Sequence, residues 1–158
     1  MNTIAEKSKR LDTINILLVG NNPIELGRVL DKIKAIDSRK ILIEIAFDLK
    51  SSLSRLLQFE PTHILIDDNV GKDELRNTVE ALSINKKTKE VPITILKNSN
   101  YSSSLEVNLI LDYVLKQNLS SETFITIFKN ASKLQRAKYF LEEAYLKRKH
   151  ALQRLSIN

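Results

Sequence analysis

Residues 67–69 read Asp-Asp-Asn, and they close an apolar run from Thr62 to Ile66. Two lysines close comparable runs further along: Lys97 follows Ile93 to Leu96, and Lys116 follows Ile110 to Leu115. An earlier run, Ile14 to Val19, closes on Gly20-Asn21-Asn22. A carboxylate beside ammonium groups can have its charge offset without a metal. A hard ion such as Mg²⁺ instead needs several oxygen ligands in octahedral geometry. The corner at Gly20 supplies a glycine and two amides, and no acid until Glu25.

Other chemistries have less support. There is no cysteine, so disulfides and thiolate metal sites are excluded. His63 lies within an apolar run and reads as a core or edge residue. His150 sits among Lys147, Arg148 and Lys149 and reads as a solvated helix residue. Three scattered glycines make no phosphate-cradling loop. Ser102-Ser103-Ser104 has no histidine partner that sequence logic would supply.

The elements that must position these groups follow from periodicity. Ile14–Val19, Ile41–Phe47, Thr62–Ile66, Ile93–Leu96 and Ile110–Leu115 read as buried strands. Glu44 within the second places it on the outside of a sheet. Asn22 caps and Pro23 opens a helix that carries Leu26, Val29, Leu30 and Ile33 at helical spacing. Asp48 caps a second, with Leu49, Leu53, Leu56 and Leu57, which Pro61 ends. A third runs from Asp73 to about Asn85. Asn98 to Ser104 reads as loop, followed by a stub of helix at Leu105–Leu109. Five strands alternating with helices predict an α/β fold: a doubly wound parallel sheet with the flavodoxin-like order 2-1-3-4-5. In such sheets ligands sit beyond the carboxyl ends of the strands, at the switch between the first and third. Topology thus gathers Gly20, Asn21, Asn22, Asp67, Asp68, Asn69, Lys97 and Lys116 at one edge.

The length of 158 residues suits one domain with additions. We divide it into an N-terminal arm (1–12), an α/β domain (13–130) and a helical extension (131–158). No apolar stretch approaches the ~20 residues of a membrane span, and the first residues lack a secretory apolar core. A cytoplasmic location and no membrane partner are expected. The net charge of +6 is unevenly placed: Ser120 to Asn158 holds eight Lys or Arg against three acids. The basic character therefore belongs to the C-terminal segment.

The stretches LLVGNNPIE, PTHILIDDN and DYVLKQ resemble the receiver domains of two-component response regulators (CheY-like) over roughly residues 14–130. By register, the resemblance implies that Asp67 stands where the phosphoryl-accepting aspartate stands. Lys116 matches its lysine partner, Tyr113 the aromatic that rotates on activation, and Asn69 the position whose carbonyl helps bind Mg²⁺. The departures decide the expected function. The acidic pair falls on Gly20 and Asn21, the hydroxyl residue on Lys97, and the proline after the lysine on Gln117. The stretch between Lys97 and Lys116 is also short for the family, which implies a reduced fourth helix. Without the pair there is no metal cofactor to expect, and Lys97 brings a cation that imitates part of an occupied site. Asp68 reads as a turn residue.

Helical character then runs from Ser121 to about Leu155 without Gly or Pro. Phe124, Ile127, Ala131, Leu134, Lys138, Leu141, Tyr145, Arg148, Leu152 and Leu155 recur at alternating three- and four-residue spacing, a heptad seam. Beyond Leu134 no domain remains to cover it, so a homodimer through Leu134, Leu141, Tyr145, Leu152 and Leu155 is expected, parallel if an output domain follows each chain. The closing ALQRLSIN has no cap or breaker and resembles a connector leading into such an output domain.

The leading expectation is a non-enzymatic, degenerate receiver that dimerises and relays a signal to an output domain. The first alternative is a phosphorylation-competent receiver in a phosphorelay, with Asp67 as acceptor, Mg²⁺ as cofactor and a sensor histidine kinase as partner. The second is a stand-alone adaptor or nucleic-acid-binding protein using the basic helix. Its charge could bind phosphates without sequence preference, but no base-reading motif is present, so nucleic acid is not an expected partner.

Overall fold

The computed structural model describes residues 13–98 and 110–156. The expected arm at 1–12, and the expected loop and helical stub between residues 99 and 109, lie outside the described residues. The elements in order are β1 (Ile14–Val19), α1 (Pro23–Lys34), β2 (Ile41–Ala46), α2 (Leu49–Arg55), β3 (His63–Asp67), α3 (Lys72–Ile84), β4 (Ile93–Lys97), β5 (Ile110–Leu115) and α4 (Ser121–Ser156). The strands form one parallel sheet in the order β2-β1-β3-β4-β5.

Local chemistry starts the helices. The Asn22 side chain accepts hydrogen bonds from the Ile24 and Glu25 N–H groups, and Pro23 follows it. Asp48 and Ser51 form a reciprocal capping box at α2. Gly71, with φ of 97°, makes the turn from the end of β3 into α3, a conformation that favours glycine.

Alternation along the strands builds two cores. Ile16, Leu18, Leu65 and Leu96 face α1 and α4, whose Leu26, Val29, Ile33, Phe124 and Phe128 close over them. Leu17, Val19, Ile64, Ile66, Ile93 and Ile95 face the other way, toward Val79 and Leu82 of α3 and Leu56 at the end of α2. Of the apolar residues expected on α2, Leu53 is exposed on its outer face, and Leu57 is exposed beyond its end, since the helix closes at Arg55. β2 is an outer strand, as Glu44 suggested. Arg55 Nε donates to the Ile45 carbonyl at 3.2 Å and covers part of its open edge.

α4 is one continuous helix, ~54 Å long at 1.5 Å per residue. Its contact with the domain runs past residue 130. Ala131, Ser132 and Gln135 are buried, and Gln135 Nε2 donates to the Glu90 carbonyl. Gln135 is the last buried position on α4.

His63 opens β3 and is 2% exposed, with its ring edge-on to Phe128 at 5.1 Å and its Nδ1 2.8 Å from Thr62 Oγ1. Burial lowers its pKa to about 4, although the nearby Phe128 backbone favours the charged form. The folded protein thus holds His63 neutral where the unfolded chain binds a proton. Stability from this group is complete above about pH 6.5 and is lost as pH falls toward about 4, by about 3 kcal/mol. Chemical denaturation at a series of pH values should show this fall in the native chain and a flatter profile in His63→Leu.

Candidate functional site

The carboxyl ends of β3, β4 and β5 converge because adjacent parallel strands lie in register: Asp67 pairs with Leu96, and Lys97 pairs with Leu115. Asp67 is 1% exposed. Its Oδ1 lies 2.5 Å from Lys116 Nζ and accepts the Asn69 N–H at 2.9 Å. Its Oδ2 is buried and has no hydrogen-bond partner. Burial raises the Asp67 pKa, while Lys116 and the Asn69 N–H oppose the rise.

Lys116 is the centre of the site. Its Nζ donates to Asn98 Oδ1 at 2.9 Å and lies 3.9 Å from Glu25 and 4.0 Å from Asp68. Three carboxylates, from β3, the turn after it and the first turn of α1, surround one ammonium. Asp68 is also more than a turn residue. Its carboxylate accepts from the Asn98 N–H and from Asn98 Nδ2. Asn98 Nδ2 also donates to Asn69 Oδ1. Asn98 thus ties the ends of β3, β4 and β5 together, a role that no spacing in the sequence announced. The expectation gave Asn98 to a loop and attached no chemistry to Glu25.

Lys97 takes a different place. Strand alternation puts it on the face of Ile95, which pairs with Tyr113, whereas Asp67 lies on the face of Leu65. Lys97 is 8% exposed, and its ammonium sits 5.0 Å from the centroid of the Tyr113 ring, within cation–π range. Tyr113 itself is half-buried against the core on the α3 side.

The β1 corner carries no charge. Gly20 is buried and Asn21 exposed, while Asn22 spends its side-chain oxygen on the α1 cap. A Cβ at Gly20 would lie 2.6 Å from Leu26 Cδ2 and 3.2 Å from Asp67 Cβ. Leu26 is 3% exposed, so it has little room to yield. This packing fits glycine and leaves no space for an acid as the helix is now docked. Among the described residues no group of three acids or histidines is arranged to hold a metal ion. At Asp67 the Lys116 ammonium takes the place beside Oδ1, and Gly20 and Asn21 add no carboxylate, so the residues present do not fit the oxygen-rich octahedral shell of Mg²⁺.

No family model and no curated protein sequence matches this chain. Solved structures do match. A two-component response regulator from Legionella pneumophila is similar at 21% identity, covering 76% of this chain and 98% of that one, with a TM-score of 0.66. The receiver domain of the sensor histidine kinase PA1611 from Pseudomonas aeruginosa PAO1, solved with a magnesium ion in its active-site cleft, is similar at 15% identity, covering 77% and 98%, with a TM-score of 0.64. A chain carrying the trimeric coiled-coil segment of yeast Spc42 fused to another protein is similar at 18% identity over 90% of this chain and 95% of that one, with a TM-score of 0.63. The fold is therefore that of the response-regulator receiver domains, the CheY-like variety of the flavodoxin-like sheet, extended here by a long C-terminal helix. At these identities the likeness defines the fold; the site has to be read from its own residues.

Proposed function

We propose that this chain is a non-catalytic signal-transduction module: a degenerate receiver that dimerises through α4 and relays a signal along that helix to an output domain. The observation that carries the reading is the buried Asp67–Lys116 pair at 2.5 Å beside a corner with no acid at Gly20 or Asn21. In a working receiver, Mg²⁺ offsets the charge of the transferred phosphoryl group. Here Lys116 offsets Asp67 permanently, and Lys97 fixes the orientation of Tyr113 through its ring. The signal then enters by contact with a partner, and Tyr113 does not await phosphorylation. The exposure of Leu141, Tyr145 and Leu152 on a helix with no domain beneath it supports the dimer. Among the described residues no helix is long and apolar enough to cross a membrane.

A second reading has one observation in its favour. Asp67 Oδ2 has no partner, as an oxygen kept for a phosphoryl group would not. In that case a sensor histidine kinase would supply the phosphoryl group and Asp67 would accept it. The two readings differ over metal. Titration with Mg²⁺, followed through the amide shifts of Gly20, Asp67 and Asn69, is expected to show no saturation up to several millimolar. Saturation below millimolar would favour the phosphoreceiver.

A further inference from the structure

α4 carries two apolar stripes. One, through Phe124, Phe128 and the buried side of Gln135, faces the domain. The other, through Leu141, Tyr145 and Leu152, lies roughly 100° around the helix at 100° per residue. It is open to solvent: Leu141 is 66% exposed, Tyr145 65% and Leu152 59%. Two cations, Lys138 and Arg148, stand in this same stripe. Any partner must answer them, and that requirement decides the orientation.

A parallel, in-register pair sets each residue of the stripe against itself. Lys138 would meet Lys138 and Arg148 would meet Arg148 across the axis, two like-charge contacts in a short seam. An antiparallel pair can be aligned to avoid both. With Leu152 of one copy against Leu141 of the other, Arg148 falls opposite Tyr145 and Lys138 opposite Leu155. Arg148 then lies on an aromatic face, a cation–π contact. On the flank of the seam, Glu142 of one copy comes beside Lys149 of the other. Two-fold symmetry makes each of these contacts twice. The seam covers residues 138–155, about 27 Å of helix. It stays clear of the domain, whose last buried position on α4 is Gln135.

We propose that α4 pairs antiparallel with α4 of a second copy, in the alignment that sets Leu152 against Leu141. The proposal rests on the reading that α4 is the dimer contact, and it replaces the parallel arrangement that two adjacent output domains would favour. Each receiver then sits at opposite ends of the paired helices, and a segment that followed α4 would run beside the partner's receiver. That places the signal of one copy next to the output of the other.

The full chain has no cysteine, so introduced thiols report alone. Disulfide formation requires Cβ atoms about 4 Å apart. Three samples are oxidised mildly: Leu141→Cys alone, Leu152→Cys alone, and an equal mixture of the two. The antiparallel alignment predicts covalent dimers in the mixture, containing one chain of each kind, and loss of cross-linking in each variant alone. Cross-linking of each variant to itself would overturn the orientation while leaving the α4 dimer in place. Absence of cross-links in all three samples would also overturn it. Sedimentation of the native chain then separates the cases: a dimer means a different contact or alignment, and a monomer means that the dimer reading itself fails.

Discussion

Replacing Lys116 by methionine is expected to destabilise the protein by about 3–5 kcal/mol at neutral pH, the usual cost of leaving a buried charge unpaired. Lys116 is the cation that faces Asp67 at 2.5 Å, and Glu25 and Asp68 lie within 4.0 Å of its Nζ. Methionine keeps most of the side chain's length and removes the charge, leaving the carboxylates of Glu25 and Asp68 facing a buried, unpaired Asp67. The loss should depend on pH. Burial already raises the Asp67 pKa, and losing Lys116 raises it further. A group whose folded pKa is raised favours the folded state below that pKa, so the variant should recover relative to the native chain as pH falls. It should be weakest above neutrality. Pairing Lys116→Met with Asp67→Asn should restore much of the stability, since the amide oxygen can still accept the Asn69 N–H. Urea unfolding of the four proteins of this double-mutant cycle gives the coupling. A coupling near zero would mean that the pair is incidental to the site.

The second large effect concerns association. Replacing Leu141 and Leu152 together by glutamate should abolish the dimer and leave the domain folded. Both residues are more than half exposed, and neither contacts the cores built on the sheet. Sedimentation over a range of concentrations up to ~100 μM would detect a contact as weak as about −5.5 kcal/mol. The native chain should associate within that range and the variant should not. Thermal unfolding of the variant should remain cooperative. A native chain that stays monomeric throughout would remove this seam as the dimer contact.

Much of the fold is written locally. Short β-branched runs bounded by caps at Asn22 and Asp48 mark the elements, and their alternation leaves few ways to order a parallel sheet. Glu44 signalled the outer strand because a central one would bury its charge. Position was legible where a strand end fixes it, as at Asp67 and Lys116. It was not legible where reach depends on docking. Glu25 approaches Lys116 because α1 packs its first turn over the end of β1, and no spacing encodes that. Asn98 carries no charge and stands next to a more conspicuous lysine, so its bonds to Asp68, Asn69 and Lys116 emerge only in three dimensions. Lys97 was readable as a cation near the site, but the parity of β4 turns it toward Tyr113. The point where α4 leaves the domain shifted for a related reason. Ser132 and Gln135 are polar, yet both are buried where α4 leaves the domain.

We propose that the Asp67 site works through its built-in ion pair with Lys116 and takes no phosphoryl group. Incubation of the native chain with acetyl phosphate and Mg²⁺, followed by intact-mass measurement and peptide mapping, tests it most directly. The mass is expected not to change, under conditions that label a working receiver used as a control. An acyl phosphate mapped to Asp67, absent in Asp67→Asn, would contradict it and would make the chain a phosphoreceiver.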